Sequence, residues 1–363
     1  MPAGSGGQIA LFSVGSLYAD VNSALLSGAQ WTDFVSESIE HNLTELQEGS
    51  ITGYKGKPPS HKGVDSGQGD INLEPNPNAL GMFMRGVFGQ SSGSVITAGT
   101  AWGANSGSAQ NNPPGYTGGR PVVRHIFVPR QTPFDDRTFL PPHGLMLYKD
   151  VGSAFIHMGA IFPSVEVQVQ AGQLTKATVS MMSRNVTRHA RPAGVAALRN
   201  PGGRPWTWDQ TSIQVGPNDG ALVAFDKYQS LSIKYETPIE GVLLLDGTKK
   251  FGEFQTNGFQ SVDINGTMTF RDQLEYDAFV NYEEQFLRVA VTNTSSSMVL
   301  GDPASASFYQ LGFDIPAMKY LSWSAPIQGP NRITATFKAK GEFDTTSLYQ
   351  ISAWLINTTS AYV

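Results

Sequence analysis

Residues 164–181 read SVEVQVQAGQLTKATVSM. Val165, Val167 and Val169 alternate with Glu166, Gln168 and Gln170. A turn follows at Ala171-Gly172, after which Ala177, Val179 and Met181 alternate with Thr178 and Ser180. Successive side chains of a strand point to opposite faces, so a period of two predicts two half-buried strands joined as a hairpin. One face enters a core and the other meets water or a partner. The polar face of the first strand carries Glu166, Gln168 and Gln170.

The same order of elements recurs further along. Near Gly329-Pro330 a second turn leads into Ile333, Ala335 and Phe337 alternating with Thr334, Thr336 and Lys338. Ser36-Glu37-Ser38-Ile39 is matched by Ser230-Leu231-Ser232-Ile233, and Asp70-Ile71-Asn72 by Asp263-Ile264-Asn265, in one register to within a residue. Each Asp-Ile-Asn strand runs into a helical pattern: Leu80, Phe83, Met84 and Val87 in the first, and Leu274, Tyr276, Phe279 and Val280 on a looser apolar face in the second. Two similar β-rich units in one chain favour an assembly part over an enzyme. The expected division is a first unit over 1–184, a connector over 185–217 rich in Arg and Pro, and a second unit over 218–363.

Composition narrows the class. The 363 residues are enough for two cores of ordinary size. Charged residues make up only 15%, below the roughly 25% usual in soluble domains, which is expected of a surface covered by neighbours. The formal net charge of −5 argues against binding driven by phosphate neutralisation. Absence of Cys excludes disulfides and thiolate chemistry. The N-terminal residues do not read as a signal peptide, and no segment has the apolar length of a membrane span.

Three stretches punctuate the chain. Residues 47–69 form a polar loop too long for a tight turn, with a counterpart at 240–258. Residues 90–119 are rich in Gly, Ser, Asn and Pro and have no equivalent in the second half. The search for chemistry finds nothing convergent. His41, His61, His125, His143, His157 and His189 have no metal-ligand spacing, Asp135-Asp136 sits in a turn, and no nucleophile motif or phosphate loop is present. No cofactor is expected.

Several of these segments carry a resemblance. The run from Ser36 through Gly89 contains Gly69-Asp70-Ile71-Asn72-Leu73-Glu74 and an apolar helix ending Gly86-Val87-Phe88-Gly89. Phe155-Ile156-His157-Met158-Gly159-Ala160 is followed by the hairpin at 164–182, and the second half repeats the pattern from Ser230 to Tyr282. From about residue 30 onward the chain resembles the tail tube proteins of long non-contractile-tailed bacteriophages. It departs from the shorter members at 90–119.

The resemblance implies a mainly β fold with two tandem tail-tube-like β-sandwich or barrel domains, each flanked by an α-helix. It implies a structural virion protein, made in the host cytoplasm, whose sheets join between neighbours into rings. Stacked rings would form a hollow tube around a tape-measure protein, with terminator and distal tail proteins at its ends. Viral DNA would pass through without sequence-specific binding. With two units per chain, a trimeric pseudo-hexameric ring is favoured over a hexamer. Lys55, Lys57 and Lys62 in one loop, and Lys249 and Lys250 in the other, are the expected inter-ring contacts. Glu166, Gln168 and Gln170 are the bore-facing candidates, whereas Lys338 and Lys340 argue for an outward or interfacial face on the second hairpin. The alternatives are another tail component, such as a distal adaptor or tube terminator, or a carbohydrate-binding β-sandwich using Trp102, Trp206 and Trp208 as stacking platforms.

Overall fold

The computed structural model describes residues 8–13, 30–49, 56–89, 92–95, 123–130, 140–149, 153–190, 204–293, 299–300, 307–327 and 332–357. The first half supplies β1 (Gln8–Ser13), β2 (Gln30–Thr32), β3 (Ser36–Glu37), β4 (Glu40–Gln47), β5 (Ser60–Leu73), α1 (Leu80–Phe88), β6 (Ser92–Val95), β7 (Val123–Phe127), β8 (His143–Tyr148), β9 (Ser153–Gln170), β10 (Lys176–Ser183) and β11 (Asn185–Ala190). The second half supplies β12 (Thr211–Gly216), β13 (Val223–Ala224), β14 (Tyr228–Glu236), β15 (Ile239–Leu243), β16 (Phe251–Thr256), β17 (Ser261–Thr269), α2 (Leu274–Val280), β18 (Gln285–Thr292), β19 (Val299–Leu300), β20 (Ser307–Phe308), β21 (Gln310–Ser324), β22 (Thr334–Gly341) and β23 (Ser352–Asn357). The fold is mainly β, and the strand pairings among the described residues are antiparallel.

The two halves trace the same path. In the first, β3 and β4 pair with β5, β5 with β10, and β10 with the C-terminal part of β9. In the second, β14 pairs with β17, β17 with β22, and β22 with the C-terminal part of β21. Both β9 and β21 are long because each serves two neighbourhoods. The N-terminal part of β9 lies between β8 and β11, and that of β21 between β18 and β23. Each long strand breaks register between these parts. In β9 the break with β8 falls beside Gly159, which adopts a positive φ of 61° that side chains resist. In β21 the break with β18 spans Pro316, whose missing N–H suits a bulge.

The hairpin expected at 164–181 is β9–β10, with Gly172 in the turn at a φ of 81°. The second hairpin is β21–β22, although Gly329 and Pro330 lie outside the described residues. Structural pairing corrects one detail of the repeat. Asn72 and Asn265 occupy the same place, and their partners are Ser36 and Ser232, so Ser36 corresponds to Ser232, two residues beyond the match drawn from sequence. The segment 185–217 is strand at both ends, as β11 and β12, and residues 92–95 at the start of the expected insertion form β6 against β7.

One cluster of buried apolar side chains runs through both halves. α1 lies on this core side of the sheet, where Phe83 meets Phe162 edge-on at 5.5 Å.

Candidate assembly surfaces

Three surfaces follow from this topology: a polar sheet face, a closed junction between the halves, and two open edges. The closed junction is β9 against β14, with Ser164 to Gln170 opposite Glu236 to Ser230. It fuses the two halves into one row, β3/β4–β5–β10–β9–β14–β17–β22–β21.

Opposed residues share a face, so the polar face can be followed across the row. Gln168 stands opposite Lys176 and Ser232, Ser232 opposite Asn265, and Asn265 opposite Lys338. Glu166, Gln168 and Gln170 therefore lie on the same face as Thr336, Lys338 and Lys340. The inference that the lysines mark a different kind of face is corrected: one continuous sheet carries both sets. Lys176, Lys234, Lys319, Lys338 and Lys340 share that face with Glu40, Asp70, Glu166, Glu236 and Asp263, five cations against five carboxylates.

Hydrogen bonds bind the face laterally. Asn72 donates to Ser36 Oγ at 2.9 Å and accepts from Thr178 at 2.8 Å. Ser164 donates to Ser180 at 3.0 Å, and Ser180 to Asp70 at 2.6 Å. Glu166 accepts from Gln168 at 2.8 Å and from Ser232 at 2.5 Å across the junction. At the far end Glu342 receives Lys319 at 2.7 Å and Lys340 at 2.6 Å, and the Lys319 hydrogen bond leads in holding its carboxyl below the ordinary range.

The row ends in two edges without a strand partner among the described residues. One is the outer side of β3 and β4, and the other the outer side of β21 from Lys319 to Ser324. Unpaired edges invite another strand unless guarded. On the first edge Ser38 donates its N–H to Asp70, so the N–H of Ile39 faces outward, where the Glu37 carboxylate caps it at 2.8 Å. Lys149 holds Glu37 in place at 2.6 Å.

The polar loop at 240–258 is a hairpin, β15–β16, that reaches over the first half of its own chain. Phe251, Phe254 and Ile239 pack with Leu140, Ile161 and Met182. Arg184 Nε donates to Phe251 O at 2.7 Å, and Asp65 N–H to Lys249 O at 2.8 Å. Lys249 is exposed and Lys250 half-buried beside this contact. Lys62 is exposed and pairs with Asp65 at 2.7 Å, while His41 Nε2 reaches the same carboxylate at 2.7 Å. Burial works upward on Asp65, and these two partners outweigh it and hold the carboxyl below its usual value. Lys57 is exposed ahead of β5, and Lys55 lies outside the described residues.

The indole platforms do not converge. Trp206 is fully buried, and its N–H donates to Tyr309 O at 3.2 Å. Trp102 lies outside the described residues. Trp208 is exposed at a cavity of about 210 Å³ bordered by Val169, Phe225 and Tyr228, below the size usual for organic ligand sites. Among the described residues no three His, Asp or Glu side chains come together in a metal-binding group, and no helix is long and apolar enough to cross a membrane.

Comparison with known proteins adds one finding. The model of a family described as phage tail tube protein matches residues 13–347. No curated protein matches the chain.

Proposed function

The chain belongs to the phage tail tube protein family, and from that premise we propose that it polymerises as stacked rings forming the hollow tube through which the phage genome passes. It is a structural tail protein of the virion. The observation that carries the ring reading is the single row of strands, polar and charge-balanced on one face, apolar on the other, and without a strand partner at either end among the described residues. A row of this kind removes its edges by closing on further copies of itself.

Strand number favours three subunits. Each chain supplies eight strands to the row, counting β3 and β4 as one. Strands about 4.8 Å apart and tilted by about 40° make ~24 strands a barrel roughly 45–50 Å across, and ~48 strands one about twice as wide. The narrower barrel, lined with side chains, suits a DNA duplex. The six-subunit alternative leaves a bore far wider than its cargo. In this arrangement Glu166, Gln168 and Gln170 face the bore together with the balanced lysines and carboxylates of the same face, so DNA slides past without being held. The first and second halves act as two tail-tube-like units, and Lys55 and Lys57 ahead of β5, Lys62 at its start, and Lys249 and Lys250 in the β15–β16 turn contact adjacent rings. A tape-measure protein fills the bore before ejection, and terminator and distal proteins cap the tube.

Electron microscopy of the purified protein at rising concentration, with its solution mass in parallel, tests this reading. Rings of three chains or hollow tubes are expected. A single-chain mass at every concentration, together with absence from the tail shaft of virions, would overturn it.

A further inference from the structure

The ring reading leaves open how neighbours meet, and the chain contains a finished example in its own β9–β14 junction. Resting on that reading, we infer that the contact between subunits repeats this junction residue for residue: Ser36–Glu40 of one subunit lies antiparallel to Lys319–Ser324 of the next, with Ser38 facing Ser322 and Glu40 facing Lys319.

The register follows from correspondences within the chain. Thr178 stands between Asn72 and Glu166, and Lys338 stands between Asn265 and Ser322, so Ser322 occupies the place of Glu166. Ser180 stands between Asp70 and Ser164, and Lys340 between Asp263 and Lys319, so Lys319 occupies the place of Ser164. On the other edge Ser36 corresponds to Ser232, which makes Ser38 the equivalent of Lys234 and Glu40 that of Glu236. In the closed junction Lys234 faces Glu166, and Glu236 faces Ser164.

Two independent features agree. The transposed register sets a carboxylate, Glu40, against an ammonium, Lys319, and introduces no like-charge pair. The surfaces beside the open edges are apolar where those of the closed junction are covered. Val35 is 62% exposed, whereas Leu231, one residue before Ser232 as Val35 is before Ser36, is 3% exposed. At the closed junction Phe88, ending α1, stacks on Tyr235 at 4.7 Å. At the open edge Tyr282, just past α2, is 51% exposed with Lys319 Nζ 5.3 Å from its ring. A second copy of the chain covers these surfaces as the second half covers the first.

The natural absence of cysteine makes the register directly testable. The double variant S38C/S322C is assembled, oxidised mildly and run without reductant. Conversion of most chains to covalent dimers and trimers, reversed by reductant and missing from either single variant, is expected, because directly opposed residues fall within disulfide range. Cross-linking by S36C/S322C in place of S38C/S322C would overturn the register. Rings visible by microscopy with neither pair cross-linking would overturn edge pairing while leaving the ring reading standing. A single-chain mass with no rings, together with absence of the protein from the tail shaft of virions, would remove both. If the double variant fails to fold, unmodified protein assembled from mixed ¹⁴N and ¹⁵N chains is treated with carbodiimide. A Glu40–Lys319 peptide joining light and heavy chains is expected, and its absence from assembled rings would overturn the proposal.

Discussion

The helices α1 and α2 follow equivalent strands, β5 and β17, yet their surfaces differ sharply. α1 buries Leu80, Met82, Phe83, Met84, Val87 and Phe88, with the second half closing over it through Tyr235. α2 buries Glu275 and Ala278 and leaves Leu274, Tyr276 and Val280 exposed, Leu274 at 69%. A helix that presents leucine and valine to water after the same strand that elsewhere leads into the core is a surface awaiting cover. In the proposed ring the chain holds one completed junction and two unfinished halves of another.

The sharpest way to break this comparison is to charge both kinds of edge. Leu231→Asp places a carboxylate in the closed junction with no partner, a change expected to cost more than about 4 kcal/mol, a large share of the roughly 5–15 kcal/mol that holds an ordinary domain together. Loss of the cooperative denaturant transition is expected. Val35→Asp, at the matching position of the open edge, is expected to leave the unfolding midpoint of the isolated chain nearly unchanged while abolishing assembly. Equal destabilisation by both would show that the two edges are not equivalent surfaces in different states.

The helices give a milder version of the same contrast. Phe88→Ala removes a fully buried ring and is expected to lower stability by ~3–5 kcal/mol. Tyr276→Ala is expected to change it by less than ~0.5 kcal/mol and to raise the concentration needed for rings. Chemical denaturation of the unassembled chain, followed by sedimentation at increasing concentration, separates the two effects.

Acid should also distinguish the halves, because all six histidines lie at or before residue 189. His143 is fully buried, with Nδ1 donating to Pro141 O at 2.8 Å, and burial leads in pushing its pKa down to about 4. Burial likewise brings His157, beside Ser183 Oγ, down to about 4, with Lys149 and His41 adding to the effect. These folded-state values lie below the unfolded value near 6.5, so between them the unfolded chain binds more protons and stability decreases as the pH is lowered. The loss begins near pH 6.5, levels off below about pH 4, and reaches ~1.4 kcal/mol per histidine at pH 5.5. Hydrogen exchange is expected to quicken in β8 and β9 before β18 and β21. Simultaneous quickening in both halves would mean that the continuous core transmits the perturbation whole.

Much of this architecture was legible in local patterns. Alternation at Val165–Val169 and Ala177–Met181 located β10 and the C-terminal part of β9. The Asp-Ile-Asn pair located β17 and only the end of β5, whose residues 60–69 read as loop because Gly63, Gly67 and Gly69 interrupt a polar run. The two-residue slip between Ser230 and Ser232 was not legible, since a period-two pattern looks the same after a shift of two. Nor was the inverted face of α2. Glu275 turns inward because Lys227, on a distant segment, meets it at 2.6 Å, a partner no helical periodicity reveals. The arm β15–β16 read as a polar loop because Phe251 and Phe254 find their apolar contacts on the other half of the chain. The charge balance of the polar face was hidden for the same reason: Lys338 joins the face of Glu166 only once the two intervening strands, β14 and β17, are in register.

The smallest expected effect concerns what keeps the open edge open. Tyr235, at the closed junction, corresponds to Ile39 at the open one, whose outward N–H is occupied by its own chain's Glu37. A carboxylate accepts more strongly than an amide, so this cap competes with the carbonyl of an incoming strand. Glu37→Gln keeps the shape and an acceptor but loses the charge and the ion pair with Lys149, a contact worth under about 1 kcal/mol to the isolated chain. The unfolding midpoint should therefore barely move. The assembly equilibrium should shift toward rings by roughly threefold in concentration, because each new junction must displace a weaker cap. Light scattering across a dilution series reads this directly. A shift in the opposite direction would show that Glu37 belongs to the junction it was taken to guard, and that the closed β9–β14 pairing is an incomplete template for its open counterpart.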